Sequence, residues 1–253
     1  MVERQFCPKK TVQVAVVGKY IGLQDAYKSI YEAITHGGIS NQVKVEINKV
    51  DSEDIEKHGA DKLLKGADAI LVPGGFGSRG IEGKIKAVGF ARKNKIPFLG
   101  ICLGMQCAVM EFARSICGLK DANSTEFKPK VKNPVISLIS EQKNIKDLGG
   151  TMRLGAYPCK IKKNTLAGRV YKKNLISERH RHRYEFNNKF RKKLQSKGMV
   201  FSGIYQKKNL VEIVELKNHP YFIAVQFHPE FKSKPDAAHP LFGEFIRAAA
   251  EKK

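Results

Sequence analysis

Ile96-Pro97-Phe98-Leu99-Gly100-Ile101-Cys102-Leu103-Gly104-Met105-Gln106 is the stretch that decides the fold. An apolar run of strand length ends on Gly-x-Cys-x-Gly and passes into a segment, Leu103 to Ile116, of helical length and period. Strand, sharp turn and helix, with one reactive side chain at the turn, make the thiol form of a nucleophile elbow. Glycines at 100 and 104 permit the turn, and the new helix aims free N–H groups and the positive end of its dipole at the sulfur. Both effects favour thiolate. A cysteine at a strand end, taken alone, is more often a small buried hydrophobe; the flanking glycines bring the nucleophile reading level with that one.

Working outward, the first hundred residues alternate β-branched runs (Val12 to Val17, Val43 to Ile47, Ala69 to Val72, Ile96 to Ile101) with amphipathic stretches near Gln24 to Thr35, Ser52 to Lys65 and Gly83 to Asn94. This is the pattern of βαβ units, and it predicts an α/β fold with a mostly parallel central sheet flanked by helices. Gly18, Gly74 and Gly100 fall at strand ends, on the carboxyl edge where open α/β sheets bind ligands. The second half is less regular: Val135 to Ile139, Gly155 to Ile161, Met199 to Tyr205, Leu210 to Leu216 and Tyr221 to Gln226 read as strands, several of them antiparallel, and His239 to Ala250 as a closing helix. No internal repeat or low-complexity linker divides the chain of 253 residues, so a single domain over 11–253 with a short extension at 1–10 is expected.

A thiol nucleophile needs a base and a group to orient it. His228-Pro229-Glu230 follows the apolar strand at Tyr221 to Gln226, and residues two apart can face the same way, so Glu230 can hold the His228 imidazole in one tautomer. Leu71-Val-Pro73-Gly74-Gly75-Phe76-Gly77 also follows a buried strand. It lacks the Lys-Ser/Thr ending of a phosphate loop and does not match GxGxxG, which leaves an oxyanion hole built from the N–H groups of Gly75 and Leu103 as the better reading.

Composition bounds the rest. Hydrophobic residues make up 42% and charged residues 28%, enough for a core, and no apolar run reaches the roughly 20 residues that span a bilayer. Five cysteines without a CxxC pair suggest neither a disulfide framework nor a zinc site, and the charged N-terminus has no apolar signal segment, so a cytoplasmic location and no metal are expected. The net charge is +22, and 157–209 holds 16 Lys+Arg against only Glu178 and Glu185. Without a helix-turn-helix, zinc-finger or aromatic-interleaved pattern, this reads as a solvated lysine-rich surface rather than a specific nucleic-acid groove.

Gly-Ile-Cys102-Leu-Gly-Met-Gln, Pro-Gly-Gly75-Phe and His228-Pro-Glu230 together resemble the class I (triad) glutamine amidotransferase family, whose fold is flavodoxin-like. Pro73-Gly-Gly-Phe-Gly-Ser-Arg79-Gly, Asn123-Ser-Thr-Glu126-Phe, Gly149-Gly-Thr-Met-Arg153-Leu-Gly, Ser177-Glu-Arg-His-Arg-His-Arg183-Tyr and Gln226-Phe-His-Pro-Glu-Phe resemble, within it, the amidotransferase domains of the CTP synthase family. The resemblance implies Cys102 as nucleophile, His228 as base and then acid, and Glu230 as its orienter. It implies L-glutamine held by residues matching Gly75, Leu103, Gln106, Glu126 and Arg183. It also implies GTP as allosteric activator, with Phe76, Arg79, Glu82 and Arg153 matching the segments tied to that activation and to a lid. ATP, UTP and Mg²⁺ would bind a synthetase domain that this chain does not contain, and the full enzyme would be a homo-oligomer. Neither a membrane nor a specific nucleic acid is an expected partner.

Overall fold

The computed structural model describes residues 8, 10–138 and 152–251. In chain order the first half runs β1 (Lys10–Gly18), α1 (Lys28–Asn41), β2 (Val43–Asp51), α2 (Ser52–His58), α3 (Ala60–Leu63), β3 (Ala69–Val72), α4 (Ile81–Lys93), β4 (Phe98–Ile101) and α5 (Leu103–Ser115). The second half continues with β5 (Asn123–Ser124), β6 (Pro134–Ser137), β7 (Arg153–Ile161), α6 (Leu166–Tyr171), β8 (Leu175–His182), β9 (Glu185–Phe186), α7 (Arg191–Ser196), β10 (Met199–Tyr205), β11 (Leu210–Leu216), β12 (Phe222–Val225) and α8 (Pro240–Glu251).

Among the described residues, nine strands form one sheet in the order β2-β1-β3-β4-β12-β11-β10-β7-β8, and β5, β6 and β9 form a small second sheet. From β2 to β12 every pairing is parallel, in the doubly wound order that flavodoxin-like folds share. From β12 to β8 every pairing is antiparallel, so the parallel core is extended by an antiparallel wing.

Side chains alternate across the sheet as the pleat requires. Ala15, Val17, Phe222 and Ala224 pack on one face with Ile85 and Val88 of α4 and Ala108 of α5. Val14, Val16, Ile223 and Val225 pack on the other with Ile30 and Ile34 of α1 and Phe242 and Phe245 of α8. With both faces covered, β3, β4 and β12 are buried along their whole length, which is why they read as unbroken apolar runs.

Three boundaries differ from the sequence reading. The first helix is preceded by a 3-10 turn at Gln24–Tyr27 and runs on to Asn41. The helix expected over Ser52 to Lys65 breaks at Gly59, whose φ of +86° lies outside helical space. The Arg-rich string read as part of an irregular charged region is strand β8, with Ile176, Glu178, His180 and His182 turned inward and the residues between them exposed. Ile139 and the stretch Gly149 to Thr151 lie outside the described residues, as do Cys7 and most of the N-terminal extension.

Candidate active site

Cys102 caps α5 at φ +53° and ψ −103°, a conformation that L-residues rarely adopt. Its N–H is held by Val225 O at 2.7 Å, one strand over. The glycines of the motif are there for space: a Cβ on Gly104 would come within 2.0 Å of Val72 O, and one on Gly100 within 2.9 Å of the Gly104 backbone. Close packing of strand end against helix start therefore forces the turn that lifts the thiol to the sheet edge.

The base arrives on the neighbouring strand. β12 pairs in parallel with β4, Val225 opposite Ile101, so the residues that follow each strand emerge side by side. His228 N–H donates to Arg179 O of β8 at 2.8 Å, and its ring Nδ1 lies 2.7 Å from Glu230 Oε1. Pro229 opens a single 3-10 turn, Pro229–Lys232, which brings the carboxylate back onto the ring. Nε2 makes no hydrogen bond of ordinary geometry among the described residues, and His228 shares a cavity with Cys102. Burial pulls the His228 imidazole down, but the Cys102 sulfur and Glu230 outweigh it and push the group up to about 10. At neutral pH this ring is an imidazolium opposite the sulfur.

The loop expected to form the oxyanion hole is held from beneath by two buried lysines. Lys84 Nζ donates to Pro73 O at 2.9 Å; Lys19 Nζ donates to Gly77 O at 2.6 Å and Arg79 O at 3.0 Å. Burial lowers both ammonium groups, Lys84 to about 8. Leu103, first residue of α5, has an N–H with no acceptor inside the helix.

Gly75, Phe76, Cys102, Leu103, Gln106, Glu126, Met152, His182, Arg183 and Tyr184 line a cavity of about 80 Å³ beside the sulfur. All five residues expected to grip glutamine are in that lining. Glu126 also accepts from Gly77 N–H at 3.0 Å, which ties it to the oxyanion loop. A second cavity, about 360 Å³, opens beyond Gly74 between Tyr20, Arg181, His228 and Phe231. Roomier grooves lie elsewhere, among them one of about 540 Å³ lined by Lys160, Lys162, Arg191 and Lys217; none of the triad lines it.

The residues matched to GTP and lid separate. Phe76 is half exposed and lines both catalytic cavities. Arg79 is exposed nearby, paired with Glu53 at 2.6 Å and donating to Lys19 O. Glu82 turns to Arg114 of α5 at 2.7 Å. Arg153 is buried, bonded to Glu185 at 2.9 Å and Glu212 at 3.0 Å. Burial raises both of these carboxyl groups and Arg153 opposes it. His180 and His182, unassigned from sequence, are buried 2.9 Å apart, and burial holds both rings neutral, His180 at about 2. The remaining described cysteines, 107, 117 and 159, are buried, and burial pushes each thiol up. Among the described residues no group of three or more His, Cys, Asp or Glu side chains could hold a metal ion, and no helix is long and apolar enough to cross a membrane.

Residues 22–248 match the family model described as glutamine amidotransferase class-I. The CTP synthase of Caldanaerobacter subterraneus subsp. tengcongensis is 60% identical over 247 residues, 98% of this chain and 46% of that protein. That of Ruminiclostridium cellulolyticum is 58% identical over 253 residues, 100% of this chain and 47% of that protein. The chain thus spans about half the length of these curated relatives. A solved Trypanosoma brucei CTPS glutaminase domain with bound acivicin superposes with a TM-score of 0.89 at 41% identity, covering 96% of this chain and 95% of that one. A glutamine amidotransferase of Thermotoga maritima, 13% identical with a TM-score of 0.52 over 95% and 97% of the two chains, shares the fold. An elbow cysteine facing a carboxylate-held histidine, in a chain matched over nearly its whole length, belongs to the class-I glutamine amidotransferase family, as a glutaminase domain of the CTP synthase kind.

Proposed function

We propose that this chain hydrolyses L-glutamine to glutamate and ammonia, and that the ammonia is used by a synthetase portion for ATP-dependent amination of UTP to CTP. The observation that carries the first step is the 2.7 Å contact of His228 Nδ1 with Glu230 Oε1, on a segment that follows β12 just as Cys102 follows the adjacent parallel strand β4. The second step rests on the likeness to CTP synthases, whose remaining length would supply the sites for ATP, UTP and Mg²⁺ and the contacts of a homo-oligomer.

The thiolate is the nucleophilic form of cysteine, and in this mechanism His228 carries the proton while the sulfur attacks. Sγ bonds to the side-chain amide carbon, and the carbonyl oxygen becomes an oxyanion facing the N–H groups of Leu103 and Gly75. His228 Nε2–H gives its proton to the leaving nitrogen, and ammonia departs from a thioester on Cys102. The neutral ring then takes a proton from water, whose oxygen attacks the thioester carbon. Collapse expels thiolate and releases glutamate, with His228 again protonated. Glu126 suits the substrate ammonium and Arg183 its carboxylate. GTP, as activator, would meet Phe76 at the cavity rim and the exposed Arg79 nearby, whereas Glu82 and Arg153 are engaged in ion pairs with Arg114 and Glu185.

The test is ammonia release from glutamine, with and without GTP, by the wild type and Cys102→Ala, repeated with a separately supplied synthetase portion. Equal release by the two proteins under every condition removes the catalytic reading.

A further inference from the structure

Gln226 is the residue immediately after β12, and its side chain is fully buried against the nucleophile. Its Nε2 lies 3.7 Å from Cys102 Sγ, within hydrogen-bond reach of a sulfur, and its Oε1 lies 3.3 Å from Gln106 Nε2. Gln106 Nε2 also donates to Tyr184 O at 3.2 Å.

The orientation of both amides follows from that last contact. A backbone carbonyl only accepts, so Gln106 must present its NH₂ group to Tyr184. The same NH₂ group reaches Gln226, which must therefore present its oxygen to Gln106 and its NH₂ group to the sulfur. The chain of bonds Tyr184 O, Gln106, Gln226, Cys102 has one direction, and it ends with a donor aimed at the sulfur. Sγ also lies 3.9 Å from Arg181 O, which can only accept from a thiol. One contact favours thiolate and the other favours thiol.

We propose that Gln226 is a catalytic residue whose amide N–H, oriented by Gln106, holds the Cys102 sulfur as thiolate in the attacking position. This rests on the reading of Cys102 as nucleophile and adds to it a hydrogen-bond donor besides His228. Gln106 then acts in two ways: it lines the substrate cavity, and it positions Gln226. The charged and titratable groups around the sulfur include His228 and, behind it, Glu230; Lys84 from α4; His182, Arg183, Tyr184 and Glu126 along the substrate cavity; and Arg181, Asp25, Tyr20 and Tyr27 along the second cavity. None of these changes in Gln226→Met, which adds no charge, so a change in sulfur reactivity in that variant reports the amide.

The test is alkylation of Cys102 by iodoacetamide, in which thiolate sulfur displaces iodide, read at the Cys102 peptide by mass spectrometry across about pH 5 to 10. Wild type, Gln226→Met, Gln226→Glu and Gln106→Met are compared, with circular dichroism melts to establish folding. The expected result is a pH midpoint that moves upward, with alkylation at neutral pH slower by about tenfold in Gln226→Met. Gln226→Glu, which places a carboxylate against the sulfur, moves further, and Gln106→Met moves less in the same direction. Should Gln226→Met fail to fold, Gln106→Met, which adds no charge beside the sulfur, decides the matter. Profiles that superimpose on wild type in the folded variants overturn the proposal and leave Gln226 a packing residue. The two readings fail differently: if wild-type Cys102 reacts no faster than Cys117 at any pH, the nucleophile assignment itself is lost.

Discussion

His228 Nδ1 and Glu230 Oε1 lie 2.7 Å apart across a single 3-10 turn, so the base and its orienter are held by one short segment of chain. Because that carboxylate fixes which ring nitrogen faces the sulfur, Glu230→Gln is expected to lower glutamine turnover by about 10²- to 10⁴-fold. KM for glutamine should stay near its wild-type value, since Glu230 does not line the cavity beside Gln106, Glu126 and Arg183. Steady-state ammonia release checks both numbers.

The imidazolium of His228 should be visible directly. Its ring, pushed up to about 10, stays protonated through neutrality, and Cys102→Ala removes the strongest influence raising it. Ring resonances followed by NMR are expected to titrate near pH 10 in wild type and clearly lower in Cys102→Ala. A proton held in the folded state but released at about 6.5 in the unfolded chain stabilises the fold below pH 6.5, and that contribution is lost as pH rises through 10. Identical midpoints in the two proteins would show that sulfur and imidazole are not coupled.

Lys84 gives the opposite slope. Burial lowers its ammonium to about 8 from an ordinary 10.5, so between those values the unfolded chain binds more protons than the folded one. Its contribution to stability is fully present above pH 10.5 and is lost as pH falls through 8. Thermal midpoints measured over that window should rise less steeply with pH in Lys84→Met than in wild type; parallel curves count against a buried, proton-shedding lysine under Pro73.

Gly104→Ala places a methyl group where Val72 O already stands, 2.0 Å from the new carbon. Since that atom is backbone, strand and helix must separate. A loss of about 1–3 kcal/mol in urea denaturation is expected, together with lower Cys102 alkylation because the elbow opens. Retention of both would mean that the close approach at this turn is dispensable.

Arg153→Met leaves Glu185 and Glu212 facing each other without the cation that links them. Removing one partner from a buried pair typically costs about 3–5 kcal/mol, and a loss of that order is expected at neutral pH. Acidification should restore part of it, since burial already raises both carboxyl groups and a protonated pair no longer repels. Urea titrations at two pH values test this.

Sequence and structure agree most closely where burial is uniform. β3, β4 and β12 are apolar throughout because they are covered on both faces, and the motifs that end them lie where the chemistry lies. β8 was hidden because its inward row below Ile176 is Glu178, His180 and His182, polar residues that carry no hydrophobic period. These side chains are buried because they have partners: Glu178 with His239 at 3.0 Å, His180 with His182. The same holds for Arg153, matched from sequence to the segments tied to GTP and a lid, which finds two carboxylates in the core. Gln226 stood in plain view one residue before Phe227, yet its role depends on contacts with residues 102 and 106 that only the folded chain creates.

The register of β12 against β4 also fixes when the site comes into being. Val225 O accepts from Cys102 N–H, and Gln226, His228 and Glu230 all follow that strand, so amide donor, base and orienter reach the sulfur only when a strand distant in sequence pairs with β4. The pairing is non-local, and the entropy of closing so long a loop must be met before its contacts form. A chain in which these strands have not paired therefore lacks the groups that govern the sulfur, and the site first exists in a molecule whose sheet has closed around it.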